Sequence, residues 1–201
     1  MSSTDGRRRV GLLGGTFDPP HIGHLVAAEE ARVALGLEEV RFLVAGDPWM
    51  KDQTGTSAQR VDMAELAVAG NDGLSVDSRE IRREGPTYTA DTLKELRQEE
   101  PGADWVFLVG ADAAAHIAEW ERVEDALAMA EFVAMTRPGY SFDRSGPLTS
   151  RVGVIEVPAV GVSSTDLRRR FAEGRAVRYQ LPRSVERYVR EHGLYGAAHE
   201  R

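Results

Sequence analysis

The sequence predicts an α/β fold: a doubly wound, mostly parallel sheet with a small helical part at its C-terminal end. Three observations carry that prediction. Short runs rich in β-branched and aromatic residues alternate with segments whose apolar residues recur at helical spacing. The runs are apolar almost throughout, as strands covered on both faces are. A glycine-rich turn also joins the first run to the first helical segment, at the sheet edge where such folds hold ligands.

In chain order, Val10 to Leu13 reads as the first strand and Leu25 to Leu35 as the first helix. Val40 to Val44 is a strand and Ala58 to Ala69 a helix. Leu74 to Ile81 reads as a further strand, followed by a helix over Ala90 to Glu99. Trp105 to Val109 is a strand, and the stretch from Ala111 to Met129 reads as helical. Phe132 to Met135 and Val152 to Val157 complete the strands. Two helices follow with no strand behind them, Thr165 to Glu173 and Pro182 to His192, an appendage expected to cover one side of the site. Residues 10–195 are expected to form one domain, with its helical part from about 163; residues 1–9 read as a flexible basic lead-in and 196–201 as a frayed tail.

Composition narrows the function classes. The chain has 201 residues, 42% of them hydrophobic, which is enough for one packed core. No apolar run is long enough to cross a bilayer as a helix. There is no cysteine, so disulfides and thiolate metal sites are excluded, and a reducing cytoplasm is the expected compartment. A net charge of -7 argues against broad nucleic-acid or membrane-surface binding. An anionic substrate must then be held by a local cationic pocket.

The segment Gly14-Gly15-Thr16-Phe17-Asp18-Pro19-Pro20-His21-Ile22-Gly23-His24 carries the chemistry. Its glycines allow a sharp turn and close approach of a ligand. Pro19 and Pro20 suit a first helical turn, which Asp18 is placed to cap. A helix start offers amides without internal partners and the positive end of a dipole, a ready phosphate cradle. His21 and His24, three apart, add two imidazoles on one face. The string has neither the Gly-Lys-Ser/Thr of a Walker loop, nor a G-x-G-x-x-G fingerprint, nor a zinc-protease His-Glu-x-x-His.

This string resembles the His-x-Gly-His nucleotidyltransferase superfamily, and the fuller Gly-Gly-Thr-Phe-Asp-Pro-Pro-His resembles its bacterial nicotinate-mononucleotide adenylyltransferases. The resemblance runs from about Val10 to Tyr195. It implies a Rossmann-like nucleotidyltransferase fold, with ATP and nicotinate mononucleotide as substrates and Mg²⁺ carried in with ATP. His21, His24, Lys51 and Arg168 become the catalytic candidates. Gly14, Gly15, Thr16, Phe17 and Gly23 become ATP and phosphate contacts, with Gly110 and Asp112 after the fourth strand. Asp112 is implied to hold ribose or order nearby backbone; taken bare, it caps a helix. Arg137, after the fifth strand, reads equally as a phosphate or adenosine contact and as a turn residue.

Further segments bear on the resemblance. In Ser163-Ser164-Thr165-Asp166-Leu167-Arg168, Ser163 with Asp166 reads as a helix start, and the segment resembles the family's phosphate-binding Ser-Ser-Thr-x-x-Arg. Arg169 and Arg170 read as surface. Thr87-Tyr88-Thr89 opens a helix with Thr87 or Thr89 as cap, and resembles the nicotinate-recognition segment. Trp120 is implied to stack on the pyridine ring, although a bare tryptophan is more often packing. Lys51 lies in the loop Gly46 to Asp52, where many family members have Pro-His-Lys and this chain has Trp49-Met50-Lys51; without the resemblance it reads as solvent-exposed. Arg60 is a weaker phosphate candidate. Tyr179 to Pro182, Val185, Tyr188, Leu194 and Tyr195 match the family's C-terminal helical signature and read as core without chemistry. A bound polyphosphate is expected to make both histidines cationic.

Overall fold

The computed structural model describes residues 6–46 and 54–198. One sheet holds β1 (Arg8–Gly15), β2 (Glu39–Val44), β3 (Leu74–Asp77), β4 (Ala103–Gly110), β5 (Glu131–Thr136) and β6 (Gly153–Glu156). Every neighbouring pair is parallel, in the order β3-β2-β1-β4-β5-β6. β1 starts earlier than its apolar run because paired arginines extend it. Arg8 engages Glu38, Glu39 and Glu100, and Arg9 engages Glu131.

Continuous apolar strands follow from two covered faces. In β4, Trp105, Phe107 and Val109 point to one core, while Val106 and Leu108 point to the other. The first core is closed by α3 (Thr89–Glu99) and α5 (Val123–Met129), through Leu93, Leu96 and Ala126. The second is closed by α1 (Ile22–Ala34) and α2 (Ser57–Val68), through Ala28, Ala31, Ala64 and Val68. The chain thus leaves β1 toward one face and β4 toward the other. Between these neighbouring strands a crevice opens at their carboxyl ends.

The C-terminal helices α6 (Ser164–Ala172) and α7 (Arg183–Glu191) build a third core on the outer side of α2. Leu167, Phe171, Val185 and Val189 pack there with Met63 and Ala67, and Ala197 is buried with them. Tyr179 does not join this core as its spacing suggested: it is 78% exposed.

Two other elements depart from the expected pattern. The strand read over Leu74 to Ile81 stops at Asp77, and a 3₁₀ turn spans Arg79–Arg82. The Asp77 carboxylate accepts the Arg79 main-chain N–H at 3.0 Å, a local bond that competes with the sheet ladder. The helix read over Ala111 to Met129 is broken into α4 (Ala111–Ala114), a 3₁₀ turn at Ile117–Glu119, and α5. Trp120 is extended and Arg122 left-handed at φ 51° between them. Burying Ile117 and Val123 in one core while Arg122 reaches Asp91 requires that kink, which overrides helix propensity.

Candidate active site

A cleft of about 250 Å³ opens in the crevice at the ends of β1, β4 and β5. Six of the expected site residues line it: His21, Gly23, His24, Gly110, Asp112 and Arg137. Tyr140 and the apolar stretch Pro158 to Val160 complete its wall, without a sequence signal beyond a run of small and apolar residues. Gly14 to Phe17 lie beside the cleft rather than among its lining residues. Phe17 is buried, and its ring meets His24 edge-on at 5.1 Å and Phe42 at 4.9 Å.

The helix start differs from the expectation in who caps it. Pro19 and Pro20 stay outside α1, and His21 is the residue before its first turn. Asp18 does not cap it. Instead His24 Nδ1 accepts the main-chain N–H of His21 at 3.1 Å. The two imidazoles stack with centroids 3.7 Å apart. Gly23 makes room for this, because a Cβ there would lie 3.0 Å from His21 Nδ1. The cradle of free amides is also partly engaged within the protein. The Ile22 N–H donates to Gln180 O at 3.1 Å and the His24 N–H to His21 O at 2.9 Å.

The expectation of two cationic rings belongs to the polyphosphate-bound state; in the protein alone, burial acts in the opposite direction on His21. Burial pushes His21 down to about 4. His24 accepts at Nδ1 only while that nitrogen lacks a proton, so its ring proton sits on Nε2. Stacked imidazoles resist double protonation besides. His21 Nδ1 is buried without a hydrogen-bond partner, an orphan polar atom at the heart of the site.

Beneath the cleft lies a buried network that the sequence did not disclose. Asp18 is 1% exposed, and its Oδ2 accepts the Thr54 N–H at 2.8 Å and the Thr54 hydroxyl at 3.1 Å. Its Oδ1 accepts the Gly55 N–H at 3.1 Å and the Tyr195 hydroxyl at 2.6 Å. Arg60 is fully buried and donates to Thr16 O at 3.0 Å, Ala45 O at 2.7 Å and Gly46 O at 3.0 Å. It is a clamp between chain segments, not a phosphate ligand.

The start of α6 docks on the signature loop, the Gly14 to His24 segment, at Asp18 and Pro19. Ser163 caps it by accepting the Asp166 N–H at 3.2 Å, and the Ser164 hydroxyl donates to Pro19 O at 2.8 Å. Arg168 Nη1 donates to Asp18 O at 2.8 Å, and its Nη2 reaches the Thr165 hydroxyl at 3.4 Å. Arg169 and Arg170 both pair with Asp166. Lys51 lies outside the described residues.

On the other side, Tyr88 rather than either threonine precedes the first turn of α3, and no side chain caps that helix. The Arg122 guanidinium sits 5.4 Å from the Tyr88 ring centroid and donates to Asp91 at 2.8 Å. Trp120 is half-buried, edge-on to Phe107 at 5.9 Å and to Phe132 at 6.3 Å. Glu80 is a residue the sequence reading missed, lying inside the run read as a strand from Leu74 to Ile81. It is 7% exposed and accepts the Thr92 hydroxyl at 2.7 Å. The Thr87 side chain and the Gly46 N–H also bond it, and burial raises its pKa. Asp112 heads α4 without capping it, since Gly110 precedes the first turn.

The donor set suits a divalent cation that arrives on a ligand. Asp112 is the one carboxylate on the cleft wall among the described residues. A cation shared between one carboxylate and substrate phosphates is a usual arrangement for Mg²⁺.

Comparison with known proteins agrees with this architecture. Residues 12–170 match the cytidylyltransferase-like family. A probable nicotinate-nucleotide adenylyltransferase of Leifsonia xyli subsp. xyli is 44% identical over 94% of this chain and 94% of its own length. One from Oceanobacillus iheyensis is 42% identical, over 94% of this chain and 97% of that protein. Among solved structures, nicotinic acid mononucleotide adenylyltransferase of Plasmodium falciparum complexed with NaAD superposes with a TM-score of 0.77. That match covers 95% of this chain and 98% of the other at 17% identity, and so speaks for the fold. Sequence and architecture together place the chain in the cytidylyltransferase-like family, among its nicotinate-nucleotide adenylyltransferases.

Proposed function

We propose that this protein transfers the adenylyl group of ATP to nicotinate mononucleotide, giving deamido-NAD and pyrophosphate in NAD biosynthesis. The observation that carries the reading is the convergence of His21, His24, Asp112 and Arg137 on one cleft at the β1–β4 crevice. A phosphate oxygen of the mononucleotide attacks the α-phosphorus of ATP as the bond to the β-phosphate breaks. The nucleophile is already anionic, so no general base is needed. The protein's part is in-line positioning and stabilisation of charge on the transferring phosphoryl group.

In this reading His24 donates its Nε2–H to the transferring group, with its tautomer set by the helix cap. His21 supports it from the stacked position. Arg168 and Lys51 serve the β- and γ-phosphates, alongside Ser163, Ser164 and Thr165. Gly14 to Phe17 contact the nucleotide through main chain, and Asp112 and Gly110 hold the adenosine side. The uncapped start of α3, with Thr87, Tyr88 and Thr89, receives the nicotinate carboxylate, and Trp120 faces the pyridine ring. A carboxamide would bring an NH₂ toward those donors, which disfavours the amide. Asp112 is the residue that would hold a Mg²⁺ brought in with ATP, and such an ion would supply charge neutralisation for the leaving pyrophosphate. Residues 10–195 act as one catalytic unit, and the cytoplasm is its compartment.

The test is a discontinuous assay for deamido-NAD and pyrophosphate, with the acid and amide mononucleotides compared side by side. Turnover preferring the acid is expected. Preference for the amide, or no pyrophosphate with either, overturns the assignment.

A further inference from the structure

We propose that Tyr195 and Asp18 form a positioning pair for adenylyl transfer, in which a hydroxyl from the C-terminal turn fixes the carboxylate that holds the signature loop in place. The inference rests on the activity proposed above. Tyr195 OH donates to Asp18 Oδ1 at 2.6 Å, across 177 positions of sequence. The same carboxylate takes the Gly55 N–H on Oδ1 and both Thr54 donors on Oδ2. Two distant segments, Thr54–Gly55 and the C-terminal turn, therefore meet on one buried side chain. A larger residue at position 55 would displace this carboxylate, since a Cβ there would stand 2.8 Å from Asp18 Oδ1 and 3.6 Å from Tyr195 OH.

Two features separate this node from ordinary packing. Tyr195 is a non-glycine residue at φ 57°, a left-handed conformation held only where the surroundings impose it. And Asp18 reaches the site through its own main chain. Its carbonyl receives Arg168 Nη1 at 2.8 Å, and the next carbonyl, of Pro19, receives the Ser164 hydroxyl at 2.8 Å. Fixing Asp18 thereby fixes the arginine assigned to the phosphates and the loop that leads into His21 and His24. Burial next to Asp18 raises the Tyr195 pKa, which keeps the hydroxyl a donor at any working pH.

Tyr195→Phe removes the hydroxyl and keeps the ring, which packs 6.0 Å from Phe171. The experiment measures kcat and KM for both substrates well below the melting temperature, for Tyr195→Phe, Asp18→Asn and the double variant. For Tyr195→Phe, kcat is expected to fall about 10-fold with KM for ATP nearly unchanged, as small misplacements of reacting groups do. The double variant should be no worse than Asp18→Asn, because the hydroxyl acts through that carboxylate. Gly55→Ala presses a methyl on the same carboxylate and should reproduce the kinetic signature. Wild-type kcat in Tyr195→Phe with only a lowered melting temperature overturns the pair, as do losses that multiply in the double variant. If the wild-type enzyme forms no deamido-NAD, the activity itself falls and the pair's role falls with it.

Discussion

The two ends of the proposed site are built in opposite ways. At the phosphate end, His21, Gly23 and His24 come from one short segment, and they organise each other through a cap bond and a ring stack. At the pyridine end, Thr87 to Thr89, Trp120, Arg122 and Glu80 come from separate segments that only tertiary contacts unite. Arg122 bridges Tyr88 and Asp91, Glu80 underpins Thr87 and Thr92, and Trp120 is wedged edge-on against Phe107 and Phe132. On the proposed function, a contiguous motif preorganises the reacting centre, whereas substrate choice depends on how distant elements pack. Loss of one donor should cripple turnover at the first end, and changes at the second should be graded and confined to one substrate.

The largest expected effect is at the phosphate end. His24→Ala should lower kcat by about 10²–10³-fold, as removal of a preorganised donor does, while circular dichroism stays native. A loss under tenfold would mean that the reacting centre is not organised around this ring.

A stability effect of similar size follows from His21. Its pKa is lowered to about 4 by burial, so its contribution is complete above the ordinary histidine value and is lost as pH falls toward 4. The size is on the order of 3 kcal/mol, taken from the shift at about 1.4 kcal/mol per unit. Urea unfolding at pH 7 and pH 4.5 should show a decline that His21→Gln flattens; parallel curves for the two proteins would contradict it.

At the pyridine end the effects should be smaller and one-sided. Trp120→Leu is expected to raise KM for the mononucleotide about tenfold, the scale of one lost aromatic stack, and to leave KM for ATP alone. Equal rises for both substrates would remove the distinction between the ends. Glu80→Gln should lower kcat/KM for nicotinate mononucleotide a few-fold, near the worth of one hydrogen bond at about 1 kcal/mol. An unchanged value would make Glu80 a packing residue only.

The same contrast explains what could be read from the sequence. The parallel sheet was legible because strands covered on both faces keep apolar residues at every position, as Trp105 to Val109 do. The histidines were legible because their chemistry lies within four residues. Asp18 was not: read as a cap, it bonds Tyr195 and Thr54, neither of which local spacing can pair with it. Arg60 looked like a phosphate ligand because an arginine opening a helix carries no local sign of the three carbonyls it will clamp. The break within the helical stretch from Ala111 to Met129 was hidden for a related reason. Helical propensity there was sound, but Ile117, Trp120 and Arg122 each had a tertiary partner that a straight helix cannot reach together.

The central claim is that one triphosphate meets the stacked histidines at the β1–β4 crevice. A crystal structure with a non-hydrolysable ATP analogue and nicotinate mononucleotide tests it most directly. An α-phosphate oxygen should lie about 3 Å from His24 Nε2, with His24 Nδ1 still accepting the His21 N–H. A nucleotide bound elsewhere, or a His24 ring turned out of the cleft, would contradict it.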